Sequence, residues 1–344
     1  MIDQHARFVP VVACMALAGC AFSTEESPQE DGEIGAVSAS IVDGTAVSSG
    51  SALAKSTVGL AAPGYTGYCT GVIIGAKHVL TAAHCMPVAG NVVRFYDGPL
   101  PTGTTRTIVD VDIRPGVSPS SNDFDDVNGK FADIALVTLD ANIPSGALAA
   151  ELPLVYPGNN VTGHIVGRGR HDSCNPAWTC LEGQPNPDED LRYFISHTYS
   201  SDNNDGHMIV DDPNVNEGDS GGPFYTWNAT TGRRVVHGVL YGTTFEWGAH
   251  AKYTSVEYHL SWILETMKYT GGLISETGTD RPGGTYDSFL TTDWRYCALA
   301  CAQDTACLTY SHYDMGTGSV CNLKNSLTAK IASSYARIGT KFSL

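Results

Sequence analysis

A mainly β fold is what this sequence predicts, on three observations. Short β-branched runs recur at residues 72–74, 91–96, 107–113, 134–139 and 235–241, each broken off by Gly, Pro, Asn or Asp. With 37 glycines, 42% hydrophobic and only 16% charged residues, the chain has the balance of a loop-rich globular protein, not of a coiled coil or long disorder. Before residue 271, helical periodicity is credible once, at residues 255–268. There Val256, Leu260, Ile263, Leu264 and Met267 share a face, Thr254 and Glu257 have capping-box spacing, and Gly271 and Gly272 end the run.

The 344 residues divide into five segments. Residues 1–20 have the form of an export signal, with Arg7 ahead of an apolar run too short to anchor in a bilayer. The run ends Leu17-Ala18-Gly19-Cys20, which resembles the lipobox of bacterial lipoproteins. That resemblance implies cleavage before Cys20 and a lipid tether on its sulfur; ordinary signal cleavage nearby is the alternative. Either route places the protein outside the cell or on its envelope. Residues 21–40 read as an acidic linker or propeptide, with Glu25, Glu26, Glu30, Asp31 and Glu33 and no basic residue. Residues 41–270 form the β-rich block, 271–279 read as a linker, and 280–344 form a small cysteine-rich module.

Formal net charge is −16, which repels phosphate backbones and argues against nucleic acid as a partner. Beyond Cys14 and Cys20, eight cysteines remain, an even number that reads as four disulfides in an exported chain. His171, Cys174 and Cys180 lack a clustered fourth ligand, so no zinc site is expected. The run Asp212, Asn214, Asn216, Gly218 mimics a calcium loop, but its glycine is one place late and no glutamate closes it. Neither metal nor organic cofactor is expected.

Three islands carry chemistry: Leu80-Thr81-Ala82-Ala83-His84-Cys85, Ala132-Asp133-Ile134-Ala135-Leu136, and Asn216-Glu217-Gly218-Asp219-Ser220-Gly221-Gly222-Pro223. A serine hydroxyl is a weak nucleophile near neutrality and needs a base to take its proton. Histidine titrates close enough to do so and to return the proton to a leaving amine. A carboxylate on the other ring nitrogen fixes the tautomer, and a glycine-rich turn can aim backbone N–H groups at an oxyanion.

In this order the islands resemble the trypsin/chymotrypsin family of serine proteases, over about residues 41–268. The resemblance implies a chymotrypsin-like double β-barrel with a C-terminal helix, and a serine endopeptidase acting on proteins or peptides through an acyl-enzyme. It implies His84 as general base, Asp133 as its orienting acid, Ser220 as nucleophile, and Gly218 and Ser220 as oxyanion-hole donors. It also implies a Cys69–Cys85 bridge, and a zymogen cut before Ile41, whose new α-ammonium would pair with Asp219. Cys174 and Cys180 are expected to close a local loop. The residue before the presumed cut is Ser40, not Arg or Lys.

Specificity is less sharply written. Spacing from Ser220 puts Asn214 at the pocket floor, where a neutral amide disfavours Arg and Lys side chains at the scissile position. Tyr241-Gly242-Thr243 would form the wall. Thr243 there narrows the pocket toward small and medium neutral side chains; a one-residue deletion would instead put Gly242 at the wall and leave it open.

Residues 280–344, with Cys297, Cys301, Cys307 and Cys321, resemble a PAN/Apple domain, a small α+β module stapled by disulfides that implies a protein or carbohydrate ligand. Asp293 is placed to cap a helix carrying Cys297 and Cys301 on one face. Four cysteines admit three pairings; Cys301–Cys307 with Cys297–Cys321 is the expectation.

Overall fold

The computed structural model describes residues 41, 44–61, 69–96, 103–169, 191–200, 205–211, 215–244 and 250–341. Cys20, Cys174, Cys180 and Asn214 lie outside them. A two-residue strand β1 (Thr45–Ala46) and helix α1 (Ala52–Ser56) lead into the first barrel. Its six strands are β2 (Thr57–Ala61), β3 (Cys69–Ile73), β4 (His78–Thr81), β5 (Val92–Phe95), β6 (Thr105–Ile113) and β7 (Ala135–Leu139). They close in the order β2-β3-β4-β7-β6-β5, all antiparallel. Closure leaves no edge, and alternate residues such as Val58, Leu60, Val72, Leu80, Val93 and Leu136 fill the interior at zero exposure.

The second barrel comprises β8 (Thr162–Gly167), β9 (Arg192–Ser200), β10 (His207–Val210), β11 (Pro223–Asn228), β12 (Arg233–Thr244) and β13 (His250–Ser255). Its order β9-β10-β13-β12-β11-β8 is closed by pairing of β8 with β9, and β1 adds to β9 from outside. The fold is thus two closed six-stranded barrels, as the family resemblance implies.

Helix α2 (Leu260–Thr266) follows β13 and starts later than the sequence predicts. Thr254 belongs to β13 instead of capping: it pairs with His207 and Val239, and its hydroxyl donates to the Asp133 carbonyl at 2.9 Å. A hydroxyl consumed by the barrel cannot cap a helix. The Ser255 hydroxyl accepts the Tyr258 N–H at 3.2 Å in the turn ahead of the helix. The predicted apolar face is correct, since Val256, Leu260, Ile263 and Leu264 are fully buried.

The expected linker 271–279 is a correction. Residues Ile274–Asp280 form β14, the edge strand of a five-stranded sheet with β15 (Thr285–Leu290), β16 (Thr309–Tyr313), β17 (Val320–Lys324) and β18 (Ile331–Thr340), in the order β14-β18-β16-β17-β15. A Ser/Thr/Gly/Glu-rich segment becomes a strand because β18 pairs with it from Ile274↔Thr340 to Thr277↔Arg337 and, past a register shift, from Thr279↔Ala332 to Asp280↔Ile331. Helix α3 (Trp294–Gln303) lies against this sheet, and the Asp293 carboxylate caps it by accepting from the Arg295 N–H at 2.9 Å. Cys297–Cys321 and Cys301–Cys307 bind α3 to β17 and to the turn before β16.

The small module and the barrels share packing. Leu299 of α3 is 2% exposed within the same apolar cluster as the barrel residues, and Gln303 Nε2 donates to the Leu152 carbonyl at 2.9 Å.

Candidate active site

The histidine island folds as a single 3₁₀ turn, Ala83–Cys85, directly after β4. The Cys69–Cys85 disulfide ties that turn to the start of β3. Asp133 precedes β7, the neighbour of β4, at zero exposure. Its Oδ1 accepts the His84 backbone N–H at 2.8 Å, and its Oδ2 lies 2.6 Å from His84 Nδ1. An ionised carboxylate only accepts, so the proton of this pair sits on Nδ1 and Nε2 is left as the basic nitrogen.

The serine island links the two barrels. Asp219 N–H donates to the Asn216 carbonyl at 3.1 Å, and Gly222 N–H to the Asp219 carbonyl at 2.8 Å, so two tight turns bracket Ser220. Gly218 and Gly221 have φ of +96° and +82°. A Cβ on Gly221 would lie 2.2 Å from both the Thr70 carbonyl and Thr81 Oγ1, so only glycine fits. Thr70 of β3 clamps the loop: its N–H donates to the Ser220 carbonyl at 2.8 Å and its hydroxyl to the Gly218 carbonyl at 2.9 Å. The Ser220 carbonyl oxygen is also 3.7 Å from Sγ of Cys85, the residue after His84. That sulfur is disulfide-bonded and has no proton to give, so the approach is packing; it sets the serine loop against the histidine turn.

Buried Asp219 accepts from Gly169 N–H at 2.6 Å and Asn216 N–H at 2.9 Å. A Cβ at Gly167 or Gly169 would fall 2.1 or 2.6 Å from its carboxylate, so this loop reserves the carboxylate's space. Ile41 is wholly buried in the second barrel's core with Ile165, Met208, Phe224 and Tyr253, and its φ is +46°.

Tyr241 sits at a register shift of β12 and turns its ring edge-on to His84, with centroids 5.7 Å apart. Gly242 has open space where a side chain would start, and Thr243 is exposed opposite Ala251. Asp211, near the expected pocket, faces His250 Nδ1 at 3.3 Å and His197 Nε2 at 3.5 Å.

Several neighbours escaped the sequence reading. Phe124 stands edge-on to His84 at 6.3 Å; Phe131 packs on Tyr241 at 5.1 Å; Lys252 Nζ lies 4.1 Å over the Phe131 ring. Buried His259 lies 3.0 Å, through Nε2, from the Phe131 carbonyl, an acceptor only, so Nε2 carries the proton. Their only sequence signal is proximity: Phe131 is two residues before Asp133, and Lys252 two before Thr254. Among the described residues, no group of three or more His, Cys, Asp or Glu side chains is placed to hold a metal ion.

The structure thus brings His84, its buried carboxylate partner Asp133 and the glycine-rich turn of Ser220 together where the two barrels meet. The family model described as trypsin matches residues 41–263, well over half of the chain, and that described as PAN domain matches residues 279–324. The chain belongs to the trypsin family and is a serine endopeptidase, with a PAN domain at its C-terminal end. Among solved structures it is similar to neuropsin, a serine protease expressed in the limbic system of mouse brain. The two share 21% identity with a TM-score of 0.52, over 66% of this chain and 99% of that one, a likeness of fold. No curated protein sequence matches the chain.

Proposed function

We propose that this endopeptidase is exported and cleaves peptide bonds with Ser220 as nucleophile, His84 as general base and then acid, and Asp133 as the group that orients His84. The hydrogen-bonded His84–Asp133 pair carries the reading. His84 takes the Ser220 proton as Oγ attacks the carbonyl carbon; the oxyanion is held by the Gly218 and Ser220 N–H groups. The proton then passes to the leaving amine, giving the acyl-enzyme, and water repeats the sequence. Ser220→Ala or His84→Ala is expected to lower kcat by about 10⁴–10⁶, and Asp133→Asn by about 10⁴, with the thermal unfolding profile unchanged. Near-full activity in a folded Ser220→Ala or His84→Ala protein would sink the mechanism.

The scissile residue is proposed to be small to medium and neutral. Asn214, expected at the floor from its spacing to Ser220, carries no charge, and Asp211 is already engaged by two histidines. Cleavage of a peptide library in the same assay reads this directly; a preference for Arg or Lys overturns it.

Activation is proposed to follow cleavage before Ile41, freeing an α-ammonium that pairs with Asp219. The backbone of Ile41 supports this reading. A β-branched residue at φ +46° is strained in an intact chain. Cleavage removes the preceding carbonyl carbon, so that torsion ceases to exist and its strain is released. Since Ser40 suits a protease that accepts small residues, the enzyme is proposed to cut its own precursor in trans. Ser220→Ala precursor mixed with trace active enzyme should acquire an Ile41 N-terminus by sequencing; its persistent absence excludes self-activation. The PAN domain is proposed to bind a protein or carbohydrate.

A further inference from the structure

We propose that the junction of protease and PAN domain holds a binding site for an anionic sugar, a sulfated or uronic residue of an acidic polysaccharide. This rests on reading the module as a binding domain, and names its place and ligand class. The pocket has a volume of about 390 Å³ and is assembled from four segments of chain. Leaving α2, the chain turns through left-handed Lys268, at φ +51°, and supplies Thr270. Strand β14 supplies Ser275 and Thr277, two residues apart and therefore on one face. Directly opposite Thr277 on β18 is Arg337, and the first turn of α3 adds Trp294 and Arg295.

Charge decides the ligand class. Arg295 is already matched, by Asp293 at 3.2 Å and Glu265 at 3.7 Å. Lys268 and Arg337 have no carboxylate partner among the described residues. Arg337 is held ready: its guanidinium stacks 4.3 Å over the Trp294 ring, and Nη1 is 3.4 Å from Ser275 Oγ. Two unmatched cations side by side in a chain of net charge −16 favour an anion here, with Glu265, the carboxylate in the lining, facing Arg295. Three hydroxyls and no aliphatic side chain line the pocket, which suits a hydroxylated ring better than a peptide's apolar side chains. The cations would grip the sulfate or carboxylate by charge-assisted hydrogen bonds while Thr270, Ser275 and Thr277 meet ring hydroxyls.

The test uses the full chain with Ser220→Ala, passed at low salt over immobilised dextran sulfate, polygalacturonate, neutral dextran and polyglutamate. Retention on dextran sulfate alone assigns a sulfate ester, on polygalacturonate alone a uronic acid, on both a site for either anion; each supports the proposal. Lys268→Glu and Arg337→Glu should each weaken that retention by about tenfold or more. Arg337→Lys, which keeps the charge, should retain most of it, and Lys77→Glu on the first barrel should change nothing. Thermal unfolding shows which variants are folded. Equal loss in Lys77→Glu, or no loss in the pocket variants, overturns the pocket while leaving the module a binding domain. Retention on polyglutamate and neither polysaccharide gives the site to an acidic peptide and also overturns it. No retention on any of the four overturns the pocket and the carbohydrate reading together.

Discussion

At the scale of single residues, two buried histidines make the protein sensitive to mild acid. Burial pulls the pKa of His237 down to about 4. His259 also falls to about 4, chiefly by burial, with nearby Arg114 adding to it and the Phe131 hydrogen bond and Asp126 opposing. Both titrate near 6.5 when unfolded. A folded pKa below the unfolded one means that the unfolded chain takes up protons first. Each histidine's contribution is therefore complete above pH 6.5 and lost as pH falls toward 4, up to a few kcal/mol apiece. The melting temperature is expected to drop between pH 6.5 and 4.5. His259→Gln, which still donates to the Phe131 carbonyl, should flatten that slope; an unchanged slope in the double variant with His237→Gln would refute the assignment. The His84–Asp133 pairing and the tight turns around Ser220 were legible in sequence because such motifs fix both residue type and immediate neighbours. Thr70, Phe124 and Lys252 were not, because a threonine clamp or an aromatic neighbour acquires meaning only when another barrel is laid against it.

At the scale of elements, legibility followed how locally each one is determined. The predicted strands at 91–96, 107–113 and 134–139 appear within two residues of their places, since a β-branched run bounded by turns is a local signal. The cap of α3 by Asp293 was local as well. The start of α2 was misjudged because Thr254 has two possible uses, and the Asp133 carbonyl takes its hydroxyl. Strand β14 was misjudged for the opposite reason: nothing in its composition declares a strand, and its partners lie more than fifty residues away. Asp280, at its end, shows how firmly it is held. Its carboxylate accepts from Ser311 at 2.5 Å, Tyr313 at 2.7 Å and buried Lys324 at 3.1 Å. Burial alone would raise its pKa, but these three bonds and the Lys324 charge together hold it below the usual carboxylate value.

For the whole molecule, the absence of slack between protease and PAN domain changes what truncation does. Ending the chain at Thr270 uncovers the barrel surface under Leu299 and removes the Gln303 bond to Leu152. Burial of one leucine stabilises by about 1.5–3 kcal/mol. The truncated protease is therefore expected to melt about 3–12 °C lower than the full chain. An unchanged melting temperature would show that the two parts are independent after all.

That shared packing also changes how the enzyme meets a long substrate. A catalytic domain on a flexible leash samples every cut within its reach, and its products vary in length. Here the module proposed to grip a sugar and the proposed nucleophile Ser220 belong to one packed body, so a polypeptide carrying that sugar would be presented for cutting at a set distance from its point of attachment. On that proposed reading the enzyme works as a gauge, and the spacing between grip and cut is written into the packing of Leu299 instead of into the length of a tether.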